Sequence, residues 1–200
     1  MKVTVNGQTR EITISSVGTI EDVVEKIQNE LPQGKIITDI YLNDKVLEIS
    51  SWNANASKTY VLDEDVIDIK VEESTVIGQE ILANSKPVLR QIIDLFGEVA
   101  DSFRINDETL ANEKFATSID SLRWFLKLLE DATILLGRPF STIIDKDIEF
   151  SQYVNELVVI LEKVIVTQSQ KDWVMLADMI EYEMKPALEK IGQLYVILDV

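Results

Sequence analysis

The spacing of apolar residues along the chain changes at about Glu73. Before this residue, short apolar runs alternate with polar residues, which is the period of a half-buried β-strand. After it, apolar residues recur every three or four positions almost to the C-terminus, which is the period of a helix that buries one face. The pattern therefore predicts an α+β protein, with strands in the first third of the chain and helices in the remainder.

A β-hairpin is predicted at the N-terminus. Residues 3–5 and 12–14 alternate between apolar and polar types. Asn6 and Gly7 lie between these runs, and an Asn-Gly pair readily adopts the positive φ angles of a tight hairpin turn.

A helix is predicted directly after the hairpin. Thr19 can cap its first turn, and Asp22 three residues later completes a variant of the capping box. The apolar residues that follow share one helical face: Ile20, Val23, Val24, Ile27 and Leu31. Pro32 and Gly34 then end the helix.

The remaining strands of this part are predicted from the same alternation, at residues 36–42, 45–47 and 67–71. In the first of them, Thr38, Ile40 and Leu42 share one face. Residues 48–60 have no clear period, and Trp52 within them is predicted to cover the core from a loop. The order of elements is strand, strand, helix, strand, strand, loop, strand.

This order resembles the ubiquitin-like β-grasp superfamily over residues 1–73, together with the tract YLNDKVL at residues 41–47 and the closing tract VIDIKV at residues 66–71. Carriers and modifiers of that superfamily end in a Gly-Gly pair whose carboxylate is activated. Here Glu72, Glu73 and Ser74 follow the last strand instead. The resemblance therefore implies the superfamily's other common use, a compact module that docks to another protein.

Residues 74–200 predict four long helices. They run from Ser74 to about Phe103, from Asn106 or Asp107 to Leu136, from about Lys146 to Gln168, and from Asp172 towards the C-terminus. Pro87 either kinks the first helix or restarts it after a cap at Ser85. Short connections favour antiparallel neighbours, so we expect an up-down-up-down four-helix bundle. Almost no linker precedes it, so we expect the β-grasp domain and the bundle to pack rigidly together.

The amino-acid composition excludes several kinds of site. The chain has no Cys and no His, so it has no thiol nucleophile, no Cys or His metal ligand and no histidine base. The net charge of −16 disfavours binding to nucleic acid or to an anionic membrane. No glycine-rich phosphate motif is present, and no cofactor is predicted. The absence of a long apolar stretch and of a signal-peptide core predicts a cytoplasmic protein.

The last predicted helix carries a candidate metal site. Four acidic residues lie close together along it: Asp178, Glu181, Glu183 and Glu189. Bundles that bind metal pairs use inward carboxylates from facing helices, usually with a histidine. A helical wheel instead turns Asp178, Glu181 and Glu189 away from the apolar face, and it predicts an ion pair between Glu181 and Lys185. A carboxylate-only metal-binding or hydrolytic bundle is the alternative function.

A second strip of the same helix carries residue types that are typical of protein interfaces. We call it the Met175 strip, and its members are Met175, Met179, Tyr182 and Pro186. Val159 and Val166, seven residues apart, likewise lie on the otherwise polar side of the third helix. Either another part of the chain covers these residues or they form an intermolecular surface.

The sequence thus favours a non-enzymatic protein-interaction or adaptor protein, whose partner is another protein or a second copy of the chain. A secretion or motility chaperone is a further alternative. It predicts a groove between bundle helices that grips an amphipathic helix. Residues 172–183 resemble helical domains of bacterial proteins, which implies no particular function.

Overall fold

The computed structural model of the chain describes residues 1–10, 18–47, 59–105 and 108–199. It confirms an α+β protein, in which a mixed sheet with one helix precedes a series of helices. The chain divides into two compact units, Met1–Val76 and Ile77–Val200, and each has its own hydrophobic core. Some predicted features lie outside the described residues, namely the strand at 12–14, the loop residue Trp52 and the cap residues Asn106 and Asp107.

Five strands form one sheet in the described part of the first unit. These strands and the single helix are β1 (Lys2–Val5), β2 (Gln8–Arg10), α1 (Ile20–Glu30), β3 (Lys35–Leu42), β4 (Lys45–Leu47) and β5 (Val66–Glu73). The strands lie in the order β2-β1-β5-β3-β4, with β1 parallel to β5 and the other neighbours antiparallel. The core consists of Val3, Ile20, Val23, Ile27, Ile40, Ile67, Ile69 and Val71.

The capping box of α1 is confirmed. The Asp22 N–H donates to Thr19 Oγ1 at 3.3 Å, and the Thr19 N–H donates to Asp22 Oδ2 at 2.7 Å. These reciprocal bonds satisfy two N–H groups that have no partner within the helix. The bond from the Thr19 backbone, followed by that from its hydroxyl, lowers the pKa of Asp22.

Two asparagine side chains hold the ends of β5. Asn6 and Asn43 both have left-handed backbones, with φ of 50° and 51°. The Asn6 amide accepts from the Val71 N–H at 2.9 Å and donates to the Val71 carbonyl at 2.8 Å. The Asn43 carbonyl accepts from the Val66 N–H at 2.9 Å, and its NH₂ group donates to the Asp65 carboxylate at 2.8 Å. The turns at Asn6 and Asn43 are thereby fixed against the central strand.

Strand β3 departs from strict alternation at Thr38. Its register against β5 shifts between Ile37 and Asp39, so Thr38 is the extra residue of a β-bulge. Ile37 then packs against the core together with Ile40 and Leu42, while the Thr38 hydroxyl is buried with no hydrogen-bond partner among the described residues. The prediction that Thr38 shares a face with Ile40 and Leu42 is therefore wrong.

The carboxylate of Asp65 links the stability of the first unit to pH. The Asn43 amide, followed by the Leu62 N–H, lowers the pKa of Asp65 below its usual value of 3.8. The unfolded chain therefore binds this proton more readily, and the stabilisation is present above that value and is lost as pH falls through the lowered pKa.

We predict that Asp65→Asn lowers the melting temperature at pH 7, because an amide has one acceptor oxygen where the carboxylate accepts from both the Asn43 amide and the Leu62 N–H. We also predict that the variant loses less stability than the wild type between about pH 5 and pH 2. Calorimetric melting of both chains across this range measures the two slopes. Parallel slopes would show that Asp65 is not linked to acid unfolding.

The second part of the fold is helical. Its helices are α2 (Ser74–Arg104), α3 (Glu108–Leu135), α4 (Phe150–Ser169), α5 (Trp173–Met179), α6 (Lys185–Ile191) and α7 (Gln193–Ile197). A π-helical turn, Ile180–Met184, joins α5 to α6. Each helix contributes buried apolar residues to one core. The described part of the chain contains no helix with both the length and the apolarity that a bilayer crossing requires.

Close approaches between residues link these helices to one another. The contacting residues are Gly78 with Ala132, Asn112 with Gln168, Glu156 with Lys190, and Ser85 with Tyr195. In each pair the first residue lies in the earlier part of its helix, and the second lies in the later part of α3, of α4, or of the series that runs from α5 to α7. The pairs connect α2 with α3, α3 with α4, α4 with α6, and α2 with α7.

The third predicted helix begins later than expected. Strands β6 (Ile144–Asp145) and β7 (Ile148–Glu149) pair as a small hairpin before α4 starts at Phe150. Lys146 and Asp147 form its turn with φ of 48° and 71°. Because consecutive left-handed residues cannot continue a right-handed helix, the predicted start at Lys146 is wrong.

Helix α2 runs through Pro87 as a single element. Ser85 does not cap a restarted helix. Its hydroxyl donates to the Leu82 carbonyl at 2.8 Å and lies 2.8 Å from the Tyr195 hydroxyl. The alternative of a restart after Ser85 is therefore wrong, because the Ser85 side chain joins α2 to α7 instead.

Gly78 permits the close approach of α2 to α3. A Cβ atom at this position would lie 2.8 Å from the Ala132 carbonyl oxygen, whereas one at Gly97 would meet only the flexible Lys185 amine at 3.5 Å. Replacement of a helical glycine by alanine is otherwise favourable by about 1 kcal/mol.

We therefore predict opposite effects at the two glycines of the same helix. Gly78→Ala should lower the free energy of unfolding by about 1–2 kcal/mol, because overpacking against a backbone outweighs helix propensity. Gly97→Ala should raise it by up to about 1 kcal/mol. Urea unfolding measures both values, and equal changes would show that Gly78 lies in open space.

Candidate interaction surface

Helix α4 is apolar on both of its sides. Leu157 and Val164 are buried and face the helical core. The opposite side carries two pairs of β-branched residues, which we call the α4 outer face: Val158, Val159, Ile165 and Val166, with exposed fractions of 42%, 50%, 49% and 54%. Isolated exposed apolar residues are ordinary, but neighbouring ones on a single helix face indicate a binding surface. The seven-residue spacing between the pairs keeps them on one side of the helix.

Two charged residues lie between the apolar pairs. Glu162 and Lys163 are exposed, and neither forms an ion pair or hydrogen bond with another residue in the described ranges. Other exposed charges nearby are satisfied, as in the 2.8 Å ion pair between Glu156 and Lys190. The α4 outer face thus combines apolar side chains with one unpaired charge of each sign.

The Met175 strip adjoins this face only in part. Tyr182 is 72% exposed, and Pro186 and Met175 are also exposed. Tyr182 and Pro186 line a groove of about 420 Å³ together with Val159 of α4. The structure therefore brings Val159 of the third predicted helix together with Tyr182 and Pro186 of the last.

Met179 is the member of the strip that is not on the surface. It is 5% exposed, and the Thr167 hydroxyl of α4 donates to its sulfur at 3.3 Å. Of the two alternatives left open by the sequence, covering by another part of the chain therefore applies to Met179. The last helix packs against both α2 and α4, so its buried arc is wider than the single inner stripe read from the sequence.

A π-helical turn shapes the surface around Tyr182. The Lys185 N–H donates to the Ile180 carbonyl, five residues back, just before Pro186. Proline has no N–H and its ring clashes with the carbonyl four residues before it, which here belongs to Tyr182. A wider turn removes this conflict without ending the helix, and such turns are frequent at functional sites.

Two of the four acidic residues of the last helix, Asp178 and Glu181, lie in ion pairs. Glu181 Oε1 is 2.9 Å from Lys185 Nζ, which confirms the predicted pair. Asp178 Oδ1 is 3.3 Å from an Arg104 guanidinium nitrogen, and this bond raises the pKa of Arg104. Within the described ranges, no group of three or more acidic side chains is arranged to hold a metal ion.

Two further residues of the surface were not identified from the sequence. Val158 and Ile165 sit next to Val159 and Val166 and repeat the same seven-residue spacing. This seven-residue spacing was the feature of the sequence that could have identified them. They were missed because only Glu162 and Lys163 interrupt the apolar run from Leu157 to Val166, and two polar residues do not show where its buried side ends.

The structure defines a helical protein unit with an apolar outer surface. A family model described as "Domain of unknown function (DUF8042)" matches residues 80–194, which is more than half of the chain. The chain therefore belongs to this family. The matched residues include all of α4 and the π-helical turn, while the five-stranded sheet lies outside them. No curated protein and no solved structure matches the chain.

Met179 and Met175 provide a matched pair that tests the division between core and surface. Met179→Ala should lower the free energy of unfolding by about 2–5 kcal/mol, because it leaves a cavity between α4 and α5. Met175→Ala, at a position that is 51% exposed, should change it by no more than about 0.5 kcal/mol. Denaturant unfolding measures both, and a small loss for Met179→Ala would place it on the surface.

Proposed function

We propose that the chain is a non-enzymatic adaptor that binds a protein through the α4 outer face and the adjoining Tyr182. The observation that carries this proposal is the pair of apolar doublets on the exposed side of α4. Covering them removes apolar surface from water, which is the main favourable term in protein association. Tyr182 supplies an aromatic side chain of the kind that anchors interfaces.

Polar groups at the edge of this surface fit the same function. The ion pair of Glu156 with Lys190 borders the groove that contains Val159 and Tyr182. Protein interfaces commonly have an apolar centre within a polar rim. The ion pairs of Asp178 and Glu181 support a surface role for these acids rather than a catalytic one.

We also propose that residues 1–73 form a ubiquitin-like β-grasp domain. Support comes from the strand order β2-β1-β5-β3-β4, the parallel pairing of β1 with β5, and the position of α1 between β2 and β3. In this assignment β5 leads directly into α2 at Ser74, where a carrier would have its glycine pair. The domain then serves the adaptor as a docking module.

The helical residues 74–200 are proposed to form an up-down-up-down four-helix bundle. Its fourth member is the series α5, π-helical turn, α6 and α7. The antiparallel contacts that link α2 to α3, α3 to α4, α4 to α6, and α2 to α7 support this arrangement. Such a bundle leaves the outer side of each helix available for partners.

A groove between helices favours a second candidate, the chaperone-like binding of an amphipathic helix. This groove of about 530 Å³ lies between α2 and the last helices, and Leu89, Ile93 and Tyr195 contribute apolar lining. Lys86 and Arg90 also line it, and neither pairs with an acidic residue within the described ranges. An amphipathic helix with acidic flanks would match both its apolar lining and its charge.

The adaptor proposal is tested by comparing partners captured by four forms of the full chain, namely wild type, Trp124→Glu, Tyr182→Glu and Arg90→Glu. We predict that wild type and Trp124→Glu retain the same partner, whereas Tyr182→Glu loses it. Trp124 is the matched control, because it is 60% exposed but lies on α3. Both substitutions place a charge at an exposed position and should leave the melting temperature nearly unchanged.

Quantitative mass spectrometry of the captured proteins, with circular dichroism of each bait, provides the measurement. Equal capture by Tyr182→Glu and wild type would contradict the proposed surface. Loss of a partner only in Arg90→Glu would favour the groove between α2 and α7 instead.

A further inference from the structure

The exposed side of α4 is symmetric about one residue. Val158 lies four positions before Glu162 and Val166 four positions after it, while Val159 and Ile165 lie three positions before and after. At 100° per residue, all five side chains fall within an arc of about 120°. A helix with this pattern presents the same surface when its direction is reversed.

An antiparallel pair of such helices matches its own apolar residues. With Glu162 at the centre, Val158 of one copy lies opposite Val166 of the other, and Val159 lies opposite Ile165. In a two-fold interface, if one residue of the first copy contacts a second residue of the other copy, the reverse contact also forms. Residues at equal distances before and after Glu162 therefore face each other, and here both are apolar. Antiparallel packing also places the positive end of each helix dipole beside the negative end of the other, which is favourable.

In the same arrangement the two Glu162 carboxylates face each other at the centre, and one Lys163 from each copy lies beside them. Two copies bring together two Glu162 carboxylates and two Lys163 ammonium groups, a set with no net charge. Neither residue has an ion partner among the described residues of one chain. The second copy supplies the missing partner, because each Lys163 lies within one helical position of the opposite Glu162.

We propose that two copies of the chain associate through antiparallel α4 helices centred on Glu162. This inference rests on the proposed interaction surface, and it identifies the partner as a second copy of the chain. Beyond the neutral centre, each chain carries a net charge of −16, so the two copies repel each other at long range. Salt screens that repulsion over about 10 Å at 0.1 M, and dimerisation therefore strengthens as salt is added.

Cross-linking between single-cysteine variants tests the register, since the natural chain has no cysteine. Val158→Cys and Val166→Cys chains, distinguished by a tag, are mixed and treated with a short bismaleimide. We expect the mixed product to exceed either product of a chain with itself by at least about fivefold. Ile134→Cys, at a position on α3 that is 54% exposed, is the control and should give little product.

Light scattering on the full chain tests the association itself. Wild type and Ile134→Glu should approach twice the 22.7 kDa chain mass at about 100 µM in moderate salt. Val166→Glu should remain a monomer with an unchanged melting temperature. Val166 and Ile134 are equally exposed, so the two variants differ in location rather than burial.

The outcomes separate this inference from the proposed function. A monomeric wild type, a dimer that survives Val166→Glu, or cross-linking that favours identical chains would each overturn the antiparallel dimer. If the wild type is monomeric but Val166→Glu loses a captured partner, the adaptor proposal stands and the dimer is wrong. If the wild type is monomeric and no capture depends on Val166 or Tyr182, both are wrong.

Discussion

The double packing of the last helix is the interaction on which the helical unit depends. Met179 contacts Thr167 of α4, while Tyr195 contacts Ser85 of α2. One helix therefore closes the arrangement between two others. Its buried residues cover a wide arc, and exposed residues such as Met175, Asp178 and Tyr182 occupy the outward side. The need to pack against both α2 and α4 also explains why a π-helical turn accommodates Pro186 and the helix does not end there.

Helix α4 contrasts with this arrangement. Its inner residues, such as Leu157 and Val164, are enough to hold it in the core, yet four apolar residues remain outside. No described element covers them, so their burial within one chain does not account for their hydrophobicity. The proposed interface accounts for it, and the symmetry of the pattern about Glu162 suits a second copy of the chain.

Local features were predicted well where neighbouring residues determine them. The capping box of Thr19 and Asp22, the turn at Asn6 and the ion pair of Glu181 with Lys185 each depend on residues within four positions. The bulge at Thr38 and the hairpin before Phe150 were missed, because their register depends on pairing between strands. Alternation alone gives no sign of either.

The candidate surface was predicted only in part for a related reason. Helical periodicity assigns each residue one direction, but the number of neighbouring helices decides how wide the buried arc becomes. That number is a property of the tertiary fold, so the sequence left open whether another element covers Met179, and α4 does. Val158 and Ile165 were missed on the other helix, because an almost continuous apolar run hides the boundary between its two sides.

Carbene footprinting of the full chain at increasing concentration tests the central claim most directly. The account predicts that labelling of residues 158–166 falls as concentration rises, while labelling of the equally exposed Ile134 stays constant. Constant labelling of residues 158–166 at every concentration would contradict a self-associating α4.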